Sequence, residues 1–242
     1  LELFTHGVNM MREHVKPTVR IHYAIQQGGD VPNVVPDHAK LWIWARDFER
    51  AGVDDVLARL RPMAQGAALM AGVEGTLTVQ AGDYEVLVNQ TGARLLDANL
   101  RWVGPIAYTP EEDAFARALQ KSAGVEPVGM DAAIGSLEGQ AQEGGSTDVG
   151  DVSWNVPTLH VSVATAPRGV PWHAWPVVAA GGTSIGQKGM VLAAKTLAAT
   201  MVDLFDDPAA REAVRAEFGK KTEGFVYKPY VPAGPPPVPK AE

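Results

Sequence analysis

The sequence has 242 residues, a net charge of −7, 46% hydrophobic and 20% charged residues, and no cysteine. This length allows one large or two modest domains with a buried core, and the acidic balance, with no basic cluster beyond the Lys220-Lys221 pair, argues against a nucleic-acid binder. The lack of cysteine excludes disulfides and thiolate metal sites, leaving His, Asp and Glu as metal ligands, and no apolar run approaches the about 18 residues that span a bilayer.

Leu1, Phe4, Val8, Met11 and Val15 recur at spacings of three and four, which predicts an amphipathic helix ended by Pro17. From Thr18 the period is two. Val19, Ile21, Tyr23 and Ile25 alternate with Arg20, His22 and Ala24, the pattern of a half-buried strand. Gln27-Gly28-Gly29-Asp30 is turn chemistry. A second alternating run covers Ala39–Phe48, with Leu41, Ile43 and Ala45 on one face and Trp42, Trp44 and Arg46 on the other. A helix over about 53–70 carries Val56, Leu60 and Met63 on one stripe. Pro62 lies inside it, and an interior proline costs roughly 3 kcal/mol unless the helix yields, so a bend near Leu60 is expected. Gly72 closes this helix, and Val73, Gly75, Leu77 and Val79 begin another strand. One strand placed ahead of Leu1 turns this order into β-α-β-β-α-β, the ferredoxin-like unit. With a first residue that is Leu and not Met, the pattern predicts a missing first strand and a chain cut from something longer.

Further helices are predicted over about 90–103 and 110–122, the second opened by Thr109-Pro110-Glu111-Glu112. Residues 124–147 are rich in Gly, Glu and Gln and read as loop. Leu159–Ala164 alternates as a strand. A long helix runs from about Ser184 to Phe205 with Thr183 or Ser184 as N-cap. A last helix has Asp207 as N-cap, Pro208 in its first turn and Gly219 at its end. The tail from Pro229 holds six prolines in eleven residues and is expected to be extended and exposed. The fold class is therefore α/β, with a boundary near residue 84. Residues 1–83 form a small module, and residues 84–242 are part of a larger α/β domain whose single clear strand is too little sheet for its helices.

Two segments could carry chemistry. In the first, Asn33 stands between two prolines and Arg46 ends the next strand; an amide and a planar guanidinium on one small sheet suit a substrate carboxylate. Equally, Asn33 is a turn residue and Arg46 a surface strand end. In the second, Asp148 and Asp151 flank Gly150, and His173 lies between Trp172 and Trp175 before a Gly-rich helix start. An imidazole there, oriented by a carboxylate, fits a metal ligand; the plainer alternative is two turn-forming aspartates and a packed histidine. The other histidines show no metal-ligand spacing. Gly181–Lys188 has the look of an anion-binding helix start, but it misses the phosphate-loop spacing, and capping by Thr183 and Ser184 is the simpler role.

Taken in order, "RIHYAIQQGGDVPNVVPDHAKLWIWAR", "AQGAALMAG", "GSTDVGDVSWNVPTLH" and "HAWPVVAAGGTSIGQKGMVLAAKTLAATMVDLF" resemble the zinc-dependent aminoacylase and glutamate carboxypeptidase superfamily. Amidohydrolases of the p-aminobenzoyl-glutamate-cleaving type are the nearest likeness. The resemblance implies a catalytic domain with two zinc ions, or other divalent metals, and an inserted ferredoxin-like lid that forms a homodimer. Residues 1–83 would be the lid without its first strand, and residues 84–242 the C-terminal part of the catalytic domain with a Pro-rich tail. It further implies that Asn33 and Arg46 hold the substrate carboxylate and that His173 ligates one metal. Asp148 and Asp151 lie beside the active site with no role assigned.

The family's His-x-Asp segment, its paired glutamates and the lid histidine would all precede Leu1. No catalytic residue is therefore expected in this chain, since a metal-activated water needs several ligands and a base. The resemblance implies a cytoplasmic parent enzyme cleaving an N-acyl or N-aroyl amino acid or small peptide, with this chain alone inactive. The competing reading is a non-catalytic dimerisation or binding module without metal.

Overall fold

The computed structural model describes residues 1–138, 145–231 and 234. Its elements are α1 (Glu2–Arg12), β1 (Arg20–Gln27), β2 (Lys40–Arg46), α2 (Arg50–Ala71), α3 (Gln90–Val103), α4 (Pro110–Ser122), α5 (Val149–Ser153), α6 (Trp175–Gly181), α7 (Ser184–Asp206) and α8 (Pro208–Lys221). The chain divides into two compact units. One comprises residues 1–86 with the described parts of 142–152 and 226–242; the other comprises the described parts of 87–141 and residues 153–225.

In the first unit β1 and β2 pair antiparallel, with Arg20 opposite Arg46, Ile21 opposite Ala45, His22 opposite Trp44 and Tyr23 opposite Ile43. Side chains alternate across a strand, so Ile21, Tyr23, Ile43 and Ala45 share one face. That face packs with Val8 and Met11 of α1 and Val56 and Leu60 of α2. Val8, Val56 and Leu60 are fully withdrawn from water, each worth roughly 1.5–3 kcal/mol. The helices pass closely at Gly7, where a Cβ would stand 2.8 Å from Met63 Sδ. The opposite sheet face is open: Trp42 is 49% and Trp44 46% exposed.

Helix α2 continues as one helix through Pro62. Pro62 and Ala58 are both exposed, so the carbonyl that loses its donor turns to water. Gly72 ends the helix in the left-handed conformation (φ 66°), its N–H reaching the Ala68 and Leu69 carbonyls. Residues 73–79, expected as a strand, are irregular. In the β-α-β-β-α-β order the last strand pairs with the first, and no such partner exists among the described residues. The ferredoxin-like expectation thus reduces to a helix, a hairpin and a second helix around a two-stranded sheet.

In the second unit α7 packs against α3, α6 and α8, and α4 against α6. Leu96, Ala116, Leu119, Val170, Ala180, Ile185 and Val214 are among its buried apolar side chains. Buried Gln120 is fully used: its Oε1 accepts from Gly129 N–H at 2.8 Å, and its Nε2 donates to the Gly129 and Arg168 carbonyls at 3.2 and 2.9 Å. Thr109 and Glu112 form the capping box that the sequence announced. Residues 159–164 differ from the expected strand. Leu159, Val161 and Val163 are half-buried and His160, Ser162 and Ala164 exposed, yet no described strand lies beside them to complete a ladder. Helix α8 runs past Gly219 to Lys221. The short helices α5 and α6 were not expected. Residues 124–138 and 145–147 are irregular as predicted; residues 139–144 and most of the proline-rich tail lie outside the described residues.

Candidate functional site

Arg46 ends β2 with its guanidinium 4.7 Å from the centre of the Trp44 ring, and Trp44 meets Trp42 edge to face at 5.5 Å. The register sets Arg46 opposite Arg20, at the end of the ladder away from the connecting residues 28–39 that carry Asn33. Residues 31–40 are all exposed. The structure therefore gives Arg46 a neighbour in Arg20 and does not bring Asn33 to it. Sequence alternation placed Arg20 on the correct face but could not supply the register, because a long connection does not fix one.

Asp148 and Asp151 lie at the start of α5, whose first amide (Val149) is capped by Thr147 Oγ1 at 3.3 Å. Asp151 accepts hydrogen bonds from the Tyr84 N–H at 3.1 Å and the Tyr227 hydroxyl at 2.6 Å. The Tyr227 hydroxyl is pushed up to about 12, first by that hydrogen bond and then by burial. Asp83 joins the same neighbourhood: burial, followed by the charges of Asp151 and Asp148, raises its carboxyl. Gly150 is obligatory, because a Cβ there would overlap the Tyr84 carbonyl oxygen. Arg50 completes this corner. It lies 4.1 Å from the centre of the Tyr84 ring and 3.7 Å from that of Tyr230, and donates to the Lys228 carbonyl at 2.5 Å. Asp151 is thus a fastening point for residues 84 and 227, a role the sequence did not disclose.

His173 is exposed just before α6 and adopts φ 62°, a left-handed backbone uncommon for a non-glycine residue. Among the described residues no three His, Asp or Glu side chains gather to hold a metal ion. A two-metal centre needs a larger ligand set than one imidazole, so these residues do not fit it by themselves. The Gly181–Lys188 segment caps: Thr183 Oγ1 accepts from the Ile185 N–H at 3.3 Å. Ser184 and Lys188 donate to Glu112 at 2.5 and 2.6 Å. Those two bonds and the Thr109 N–H hold the Glu112 carboxyl at about 2.

No family model matches the chain. It is 32% identical to a p-aminobenzoyl-glutamate hydrolase subunit of Escherichia coli (strain K12) over an alignment of 264 positions, gaps included, that covers 98% of this chain and 55% of that protein. The chain belongs to the aminoacylase and glutamate carboxypeptidase superfamily. Two further relatives agree: the Xaa-Arg dipeptidases of Mus musculus and Homo sapiens, 28% and 26% identical over 218 residues, cover 90% of this chain and 44% of each protein. The chain spans about half the length of the curated relatives it matches. In this superfamily member no helix among the described residues is long and apolar enough to cross a bilayer.

Proposed function

We propose that this chain is part of a metal-dependent amidohydrolase that cleaves the amide bond of an N-acyl or N-aroyl amino acid or a dipeptide. The observation that carries the reading is the likeness along 98% of the chain to a p-aminobenzoyl-glutamate hydrolase subunit; the dipeptidase relatives widen the substrate class. In this reading residues 1–83 act as the lid, residues 84–242 belong to the catalytic domain, and the enzyme works in the cytoplasm. Arg46 takes the substrate carboxylate, a role supported by its exposure and by the absence of any ion-pair partner among the described residues. Asn33 joins it only if residues 28–39 fold over the open face. His173 is the metal ligand this chain offers, and zinc the expected metal, supplying a Lewis acid and an activated water when bound. The rest of the ligand set and the base lie outside the described residues, so the 242-residue chain alone is inactive.

Assembly through residues 1–83 as a homodimer belongs to the same proposal. The subunit designation of the bacterial relative speaks for a complex of unlike chains, and the mass of the purified assembly separates the two. A second reading is a non-catalytic dimerisation or binding module without metal. The discriminating assay presents the complete natural gene product with p-aminobenzoyl-glutamate, N-acetyl amino acids and Xaa-Arg dipeptides. Hydrolysis of at least one class is expected, and inertness toward all three favours the binding module.

A further inference from the structure

We infer that residues 226–231 form a detachable strap, pinned by Arg50, whose docking holds residues 82–86 and 145–152 in place. The strap opens and closes as one body while the hairpin core of the same unit stays folded. This device lies wholly within the first unit and goes beyond the amidohydrolase reading.

Among the described residues, no helix, strand or backbone–backbone hydrogen bond holds residues 226–231. Side chains hold them instead. Arg50, whose side chain is only 14% exposed, lies over both the Tyr84 and the Tyr230 rings and donates to the Lys228 carbonyl. The Tyr84 hydroxyl donates to the same carbonyl at 3.2 Å and accepts from the Lys228 N–H at 3.3 Å. Tyr230 donates to Asp54 at 2.8 Å and Tyr227 to Asp151 at 2.6 Å. Gly82 makes room for the Tyr230 ring, which a Cβ there would overlap.

These contacts are shared, so they are lost together. One oxygen of Asp151 accepts from Tyr227 of the strap, and the other accepts from the Tyr84 N–H beneath it. Arg50 grips Lys228 and Tyr230 on the strap side and Tyr84 on the other, while its own N–H donates to Glu85 at 2.9 Å. Undocking the strap therefore loosens Asp151 and Tyr84 with it. Little apolar burial resists the opening. Val226 is 69% exposed, and the core around Val8, Val56 and Leu60 contains no residue of the strap. Segments held by few buried apolar contacts open at a free energy well below that of global unfolding.

The test is native-state amide hydrogen exchange of the 242-residue chain, read residue by residue. In the wild type the amides of Tyr84, Gly150, Val152 and Lys228 should share one opening equilibrium with one urea dependence. Val56, Leu60 and the β1–β2 ladder should open far more rarely. Arg50→Met removes the pin, and Tyr230→Leu removes its partner on the strap while leaving Arg50 against Tyr84. Each should speed exchange at all four amides about tenfold, the scale of one hydrogen bond to a charged group, with Val56 and Leu60 unchanged. Tyr230→Leu alters only the strap, so it carries the test even where Arg50→Met disturbs the start of α2. Acceleration confined to Lys228, no acceleration at any of the four amides, or equal acceleration at Val56 and Leu60 would overturn the detachable strap.

Discussion

Arg46 faces Arg20 across the β1–β2 ladder, and no acidic side chain among the described residues stands close enough to neutralise the pair. Without ligand, this arrangement works against hairpin stability. Arg20→Thr removes one charge and places a good strand former at the position. It should raise the unfolding free energy by about 0.2–1 kcal/mol. Urea melts at low and high salt check this, and the gain should shrink as salt screens the repulsion.

Gly150 has no room for a side chain against the Tyr84 carbonyl. Gly150→Ala is expected to cost about 1–3 kcal/mol, the range for forced overpacking, and to release the Asp151 contacts to Tyr84 and Tyr227. Chemical denaturation gives the first number, and the tyrosinate absorbance of Tyr227 reports the second. An unchanged melt would mean that the backbone at residues 83–85 moves aside freely.

Much of the fold was legible because the signals were local. The Thr109–Glu112 box, the Asp207 and Thr183 caps, Gly72 and the alternation of both hairpin strands each state their geometry within a few residues. What escaped depends on partners far away in sequence. Residues 73–79 and 159–164 have strand-like alternation, but a strand exists only when a neighbour completes the ladder. The pairing of Arg46 with Arg20 depended on a register that the long connection left open. The fastening role of Asp151 needed Tyr84 and Tyr227 beside it, residues 67 and 76 positions away in the chain. His173 was singled out, yet nothing in its sequence surroundings told of its exposed, left-handed backbone.

Glu112 is held at about 2 by Lys188, Ser184 and the Thr109 amide, against an ordinary value of 4.5. A depressed carboxylate stabilises the fold fully above its unfolded value, and that contribution is lost as pH falls from about 4.5 toward 2. Glu112→Gln should therefore lower the melting temperature at neutral pH, with the difference from wild type narrowing through that acidic window. A difference that stays constant from neutral pH down to 2 would show that the charge on Glu112 is not what matters.

Tyr227 presents the opposite sign. Its hydroxyl donates to Asp151, and its value rises to about 12 from an ordinary 10.0. Its contribution is complete below pH 10 and is lost as pH climbs through about 12. Spectrophotometric titration should show one tyrosine ionising late, and Asp151→Asn should bring that transition back toward 10. A titration in which Asp151→Asn changes nothing would remove Asp151 from this contact.

The most direct test of the account is to purify the complete natural gene product, measure its metal content, and follow hydrolysis of p-aminobenzoyl-glutamate before and after chelation and metal restoration. Bound zinc, with hydrolysis that chelation abolishes and metal restores, is the predicted result. A metal-free product that leaves p-aminobenzoyl-glutamate, N-acetyl amino acids and dipeptides intact would contradict the amidohydrolase reading.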